Sequence, residues 1–429
     1  MKKNLKRLAA LGLCVAMGST MLVGCGGGKE GKSKDGKVEL VMSVWDSDQQ
    51  PVMEKMGEAY TKEHPDVTIK TQLTTWTEYW TKLEASATGG SAPDIITMNV
   101  LKVEEYADAG ILMDLTEAEK KSDLKVHENF PAPLVEGYTI DGKLYGIPKD
   151  FDTNAVFYNK EIFDKAGVAY PQEGWTFEDF RKTCEDLKAA GLDEGVFPTA
   201  INRNSGQTTY DAAVFANDGY FLSEGNEKSG WGEQATIDAI KPWLQLVLDG
   251  LSPTLQQMSD TDPDSMFQGG QLAMYFSGNY MIPSYNKTLE GKYGIAKRPT
   301  FNGKDTDIIN GLAFSVSANT KHPEEATDFA LWLGSEEAQK IQGEAGVCIS
   351  ARNDCQQYFV DANEGLNCEI FLENVKNSEL LPHCKVTSEL GRVEKEYLEP
   401  VWQGKADLTE ACKKIAEEQN AILDKMNSK

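Results

Sequence analysis

Val38-Glu39-Leu40-Val41-Met42-Ser43-Val44 opens the stretch that decides the fold, residues 38–98. Val38, Leu40, Met42 and Val44 alternate with Glu39 and Ser43, while Val41 breaks the polar face, the pattern of a mostly buried strand. Pro51 opens a helix carrying Val52, Met53, Met56, Ala59 and Tyr60 at helical spacing, and Pro65 stops it. Val67-Thr68-Ile69-Lys70-Thr71 reads as a second strand. Thr77 to Thr88 reads as a helix ended by Gly89-Gly90, and Asp94-Ile95-Ile96-Thr97-Met98 as a third strand. This β-α-β-α-β order predicts parallel strands joined by right-handed crossovers, and so an α/β fold.

The same alternation continues downstream. Ala155-Val156-Phe157-Tyr158 is a strand; Thr176 caps a helix to Ala190, with Asp179 at the third position and Gly191 after its end. Thr236 to Leu248 is helical around Pro242, which is expected to kink it. Gln271 to Ser277 and Leu312 to Ser317 read as strands, Pro323 to Leu333 and Glu336 to Glu344 as helices. Amphipathic helices over 389–402 and 409–426 close the chain. No internal repeat or linker splits 38–429, so two lobes joined by several chain crossings are expected rather than separate domains.

The chain has 429 residues, with 43 Lys and Arg against 67 Asp and Glu. That acid excess argues against a nucleic-acid partner, because phosphate backbones need clustered Lys and Arg. Residues 1–24 read as a signal peptide: Lys2, Lys3, Lys6 and Arg7 precede the short apolar stretch Leu8 to Val23. It ends in Leu22-Val23-Gly24-Cys25, a tetrapeptide that resembles a bacterial lipobox and marks Cys25 for lipidation. Residues 25–37 then form a Gly/Lys/Ser tether. Gly26 to Ser33 matches the phosphate-loop pattern letter for letter, but neither the preceding strand nor the following helix that the chemistry requires is there. The expected location is the extracellular face of the cell membrane, with membrane contact through the lipid alone.

Six cysteines remain beyond the leader and Cys25: Cys184, Cys348, Cys355, Cys368, Cys384 and Cys412. A local disulfide among the four between 348 and 384 and a set of buried thiols are both open readings. No C-x-x-C occurs, and His64, His127, His322 and His383 are scattered, so neither metal nor cofactor is expected.

Several segments together resemble family 1 of the extracellular solute-binding proteins, the carbohydrate receptors of ABC importers that include maltose-binding protein. They are Val41-Met42-Ser43-Val44-Trp45-Asp46, Gly90-Ser91-Ala92-Pro93-Asp94-Ile95-Ile96, Leu144-Tyr145-Gly146-Ile147-Pro148, Val156-Phe157-Tyr158-Asn159-Lys160, Trp175-Thr176-Phe177-Glu178-Asp179-Phe180, and Phe267 to Met274 followed by Ser277-Gly278-Asn279-Tyr280. Ala326 to Leu333 with Ser335-Glu336-Glu337-Ala338-Gln339 completes the set, in family order. The resemblance implies a periplasmic-binding-protein-like fold of class II: two lobes, a hinge and an interlobe cleft. It implies lobe one over 38–148 plus 313–355 and lobe two over 149–312 plus 356–429. It further implies a monomer that captures a carbohydrate, an oligosaccharide, and hands it to ABC permease subunits.

Pyranose rings offer apolar C–H faces to Trp and Tyr and rim hydroxyls to Asp, Asn, Gln and Arg, so the cleft should mix both kinds of side chain. Open α/β sheets bind ligands beyond their strand C-termini. Trp45, Asp46 and Asp48 lie just past the first strand, although both aspartates also suit a turn or helix cap. Trp76, at a helix start, is the better platform, and Trp80 suits the core. Asn99 follows the third strand. The family pattern adds Asp152 past the first hinge, Gln207 with Thr209 and Tyr210 in a contact loop, Asn279 with Tyr280, Asn310 at the second hinge, and Arg392 on a late helix. Trp231, between Gly230 and Gly232, suggests an exposed platform or lid.

Other functions fit less well. Asp46/Asp48 or Asp150/Asp152 could be the carboxylate pair of a glycosidase, but i, i+2 spacing puts both on one side of a ligand, whereas hydrolysis needs them to flank the bond. The run Asp260-Thr261-Asp262-Pro263-Asp264-Ser265 lacks the Gly and Glu of a calcium loop. No enzyme is expected. A peptide, a polyol phosphate or a polyamine remains an alternative cargo.

Overall fold

A computed structural model describes residues 37–202 and 206–428. The leader, the Cys25 lipidation and nearly all of the tether lie outside the described residues.

β1 (Val38–Val44) lies between two parallel partners, β2 (Val67–Leu73) and β3 (Ile95–Asn99). The helices Gln50–Glu63 and Trp76–Thr88 make the crossovers. Only Glu39 and Val41 of β1 escape full burial, which is the alternation with the single apolar break seen in its residues. The first helix buries Val52, Met53, Met56, Gly57 and Tyr60 against the sheet. A Cβ on Gly57 would sit 2.8 Å from Cβ of Ile69, so glycine is what lets the helix approach β2. A hairpin of β4 (Thr139–Ile140) and β5 (Lys143–Leu144) turns on Asp141 and Gly142, both left-handed, with φ of 50° and 75°.

β6 (Ile147–Asp152) is buried along its whole length, and Thr153 alone separates it from β7 (Asn154–Asn159). β7 is the centre of a second, antiparallel sheet between β8 (Met274–Gly278) and β9 (Tyr293–Ala296). β10 (Asp307–Val316) joins the first sheet, antiparallel to β3 on one side and β6 on the other. β11 (Ile349–Ser350) closes the sheet beyond β6. The first three residues of β10 pair in parallel with β12 (Ser378–Leu380). The large sheet therefore runs β11-β6-β10-β3-β1-β2, with β12 on the far end of β10.

Two chain crossings between the sheets thus lie side by side, at Asp152–Asn154 and at the start of β10, where Asn310 pairs with Asp152. Asp307 ties them together: its carboxylate accepts from the Asn154 backbone at 2.8 Å and from Asn374 Nδ2 at 2.9 Å. A third crossing comes later than the family pattern implied. The helix Gln357–Ala362 still packs on the helix Glu336–Glu344, and only Glu369–Asn374 moves to β7. The switch therefore falls after Ala362 rather than at 355.

The Thr176–Asp179 capping box forms, and the helices Pro323–Leu333 and Glu336–Glu344 match their expected spans. The strand expected from Gln271 begins only at Met274, and the one expected from Leu312 is the rear half of β10. Pro242 stands inside one helix, Gln234–Leu248. The last two helices, Thr387–Trp402 and Leu408–Asn427, pack as a pair. Among the described residues no helix is long and apolar enough to cross a membrane. The six cysteines among the described residues are free and buried.

Candidate functional site

An aromatic cluster forms where β1 ends. The Trp45 ring lies 5.0 Å from Trp76, 4.8 Å from Tyr79 and 5.9 Å from Trp80, centroid to centroid. Tyr79 is the anchor: its hydroxyl donates to the Thr97 carbonyl at 2.8 Å and shares a hydrogen bond with Ser43 Oγ at 2.6 Å. Trp80 packs against the core, whereas Trp76 is 47% exposed. Trp76 is thus the ring with a face to offer a guest.

The turn that follows β1 is held by Asp46, whose carboxylate accepts from the backbone N–H groups of Asp48 (2.7 Å) and Gln49 (3.3 Å) and from Gln49 Nε2 (3.1 Å). Its hydrogen-bonding capacity is largely spent on the turn. Gln49 in turn accepts from Lys149 Nζ at 2.6 Å. Lys149 is fully buried and paired with Asp150. Burial alone would strip its proton, but Asp150 holds its pKa above the ordinary lysine value. Asp48 pairs with Lys287. Asn99 is buried and caps the helix Val100–Asp108, accepting from Leu101 N at 2.9 Å.

Where the two sheets meet, Asp152 accepts from Gln207 Nε2 at 2.9 Å and from Asn310 Nδ2 at 3.3 Å. Burial, and then the neighbouring Asp150, push its carboxyl well above the usual aspartate range. The Oδ1 atoms of Asn310 and of Asn279 are buried without a hydrogen-bond partner. Unpaired buried acceptors of this kind are costly in a finished protein and suit a site completed by a donor from outside. The Tyr280 ring folds back over Gly278: a Cβ there would meet the ring at 2.3 Å and Asp152 Oδ1 at 3.3 Å. Glycine at 278 is what brings Tyr280 beside Asp152.

Next to this cluster a cavity of about 240 Å³ lies between the helices Thr387–Trp402 and Leu408–Asn427, the loop at Gly206, and Leu101 opposite. Tyr210, Phe221, Trp231 and Trp402 give it aromatic walls; Asp211, Glu394 and Gln419 give it polar ones. Gly206 lines the cavity while Gln207 reaches Asp152, so consecutive residues connect the two clusters. Glu394 accepts from Trp231 Nε1 at 3.1 Å and Gln419 Nε2 at 2.8 Å; burial pushes its carboxyl up to about 7.

Two expected residues are placed differently. Trp231 is 1% exposed, with its indole N–H spent on Glu394; it forms a fixed wall of the cavity, not an exposed lid. Its neighbour Gly230 is glycine because a Cβ would meet the Tyr220 carbonyl at 2.1 Å. Close packing, not loop exposure, explains the glycines there. Arg392 pairs with Glu396 at 3.2 Å on the exposed face of its helix. The face turned to the cavity carries Leu390, Glu394, Leu398 and Trp402, spaced by one turn each, and Arg392 falls off that stripe. Asp211, Glu394 and Trp402 were missed; the four-residue spacing of Glu394, Leu398 and Trp402 is the signal that could have found two of them.

The model of the bacterial extracellular solute-binding proteins matches residues 45–340. The chain belongs to that family. Among curated relatives, a galactooligosaccharide-binding protein of Bacillus subtilis is 25% identical over 97% of both chains. A maltooligosaccharide ABC transporter solute-binding lipoprotein of Streptococcus pneumoniae is 25% identical over 96% of this chain and 95% of its own. Among solved structures, an ABC substrate-binding protein of Listeria monocytogenes in complex with cycloalternan superposes with a TM-score of 0.83, at 24% identity, over 90% of this chain and 99% of that one. A receptor of Streptomyces glaucescens, solved unliganded and with acarbose, gives 0.80 at 20% identity, covering 90% and 98%. The solute-binding fold, with its α/β halves, is thereby shared; members of this family bind substrates rather than convert them.

Proposed function

We propose that this solute-binding protein is the extracellular receptor of an ABC importer. It is lipid-anchored at Cys25, monomeric, captures an oligosaccharide between its two lobes, and delivers it unchanged to the membrane permease. The lobes are 38–148 plus 313–362 and 149–312 plus 363–429, the last boundary following the packing of Gln357–Ala362 on Glu336–Glu344. The observation that carries the reading is the pairing of aromatic rings with buried polar groups: Tyr210 and Trp402 line one cavity with Asp211 and Glu394, and Tyr280 lies beside Asp152, which Gln207 joins to that cavity's Gly206. Flat apolar faces and rim hydrogen bonds are what a sugar demands. The names of the relatives support a carbohydrate guest. Binding would favour the closed arrangement through contacts made only there.

A thermal-shift screen against mono- and oligosaccharides tests the guest, since a ligand at 100 times its Kd adds about 2.7 kcal/mol to apparent stability. A rise in Tm with at least one sugar is expected, together with a smaller radius of gyration in solution scattering. No shift across the panel, or release of hydrolysed sugar, would refute the receptor reading.

A further inference from the structure

Resting on that reading, we propose that the cavity lined by Tyr210 and Trp402 is built for a sugar carrying a basic nitrogen, whose ammonium sits against Asp211 and Glu394. Asp211 is 6% exposed and lines the cavity. No hydrogen-bond donor of the described residues reaches its carboxylate; burial and then the neighbouring Glu394 raise its pKa, and Arg298 opposes them. Glu394 faces the same space with one oxygen holding Trp231 and Gln419 and the other unspent.

Among the described residues one buried cation, Arg298, acts on the pair, and it opposes only part of their mutual repulsion. Arg298 is the cation that acts on Asp211, but it is committed elsewhere. Its two terminal nitrogens donate to the carbonyls of Thr208 (2.7 Å) and Thr209 (2.6 Å), and its Nε lies 3.6 Å from Asp307. Lys395 stands on the cavity rim, where it is exposed, and Glu399 beside it adds another carboxylate. Asp211 and Glu394 repel each other, and burial shifts both toward protonation. A neutral hydroxyl guest leaves that repulsion in place. An ammonium relieves it, donates to both carboxylates and presents a polarised C–H skeleton to Trp402 and Tyr210, whose rings lie 5.7 Å apart. The acidic surface of the chain draws such a guest in.

The test is isothermal titration with matched pairs, hexosamine against hexose and chitosan trimer against its N-acetylated form, at pH 6.5 in buffers of different ionisation enthalpy. The amine member of at least one pair is expected to bind ten times more tightly or better, with net proton release from the protein. Asp211→Asn and Glu394→Gln should each cut the amine-to-hydroxyl affinity ratio at least tenfold. Equal or tighter binding of the uncharged members, or a ratio unmoved by both substitutions, overturns the inference while leaving a carbohydrate receptor standing. Binding by no sugar, charged or not, overturns both.

Discussion

The ammonium of Lys287, on the helix Ile282–Leu289 beside the small sheet, meets the carboxylate of Asp48 in the turn that ends β1 of the large one. On the other side of the molecule Ser388 Oγ donates to Glu105 at 2.5 Å and Lys385 reaches Asp108 at 3.4 Å. Polar contacts thus join segments of the two proposed lobes at two separate places.

The Lys287 pair predicts a salt-sensitive contribution to closure. Lys287 is 65% exposed, so the pair contributes about 0.2–1 kcal/mol. Lys287→Ala should weaken ligand binding by at most about fivefold at low ionic strength. Near 1 M salt, where the screening length is about 3 Å, the difference should vanish. A defect that persists unchanged in high salt would show that Lys287 acts by contact rather than charge.

Trp76 predicts a loss of affinity without loss of fold. Its exposed ring contributes little to the core, and an aromatic stacking contact is worth about 0.5–1.5 kcal/mol. Trp76→Ala should therefore weaken sugar binding roughly 2- to 12-fold with the denaturation midpoint nearly unchanged. Trp80→Ala, cut from the core cluster, should lower the midpoint instead. Titration calorimetry and urea unfolding on both variants separate the two roles.

Trp231 predicts the reverse. A fully buried indole removed to alanine costs about 3–5 kcal/mol, and here it also leaves Glu394 short of a donor. Trp231→Ala should lower the urea midpoint sharply, whereas a surface lid would give a change of under about 0.5 kcal/mol.

Glu394 sets a pH dependence. Its carboxyl sits near 7 in the folded chain, above the ordinary 4.5. Between those values the native state holds a proton that the unfolded chain has lost, so stability falls as pH rises. The decline is on the order of 3 kcal/mol, complete once pH passes about 7. Glu394→Gln should flatten that slope in urea unfolding measured from pH 4.5 to 8. An unchanged slope would assign it to other buried acids, such as Asp152 and Asp211.

The parallel pairing of β1 with β2 and β3 was legible because strands that alternate with helices are joined by crossovers. Helix spans were legible where proline, glycine or a capping pair marked the ends, as at Thr176 and Pro323. The hinge cluster was partly legible: Asp152, Gln207 and Asn310 do touch, through a family pattern rather than any local signal. What could not be read was the role of residues whose neighbours are far away in the chain. Trp231 looked exposed between glycines because Tyr220, which forces one of those glycines, is not adjacent to it. Asp211 and Glu394 are 183 positions apart and share a cavity only after three helices have packed.

The two crossings at Asp152 and Asn310 are bonded neighbours, so they bend together like a leaf spring and cannot slide past one another. A swing of the proposed lobes about that line would have a lever arm that lengthens away from it. A guest touching Asp152 alone would feel almost none of that travel. Guests that also reach side chains away from this line would therefore drive such a swing harder than guests seated on it.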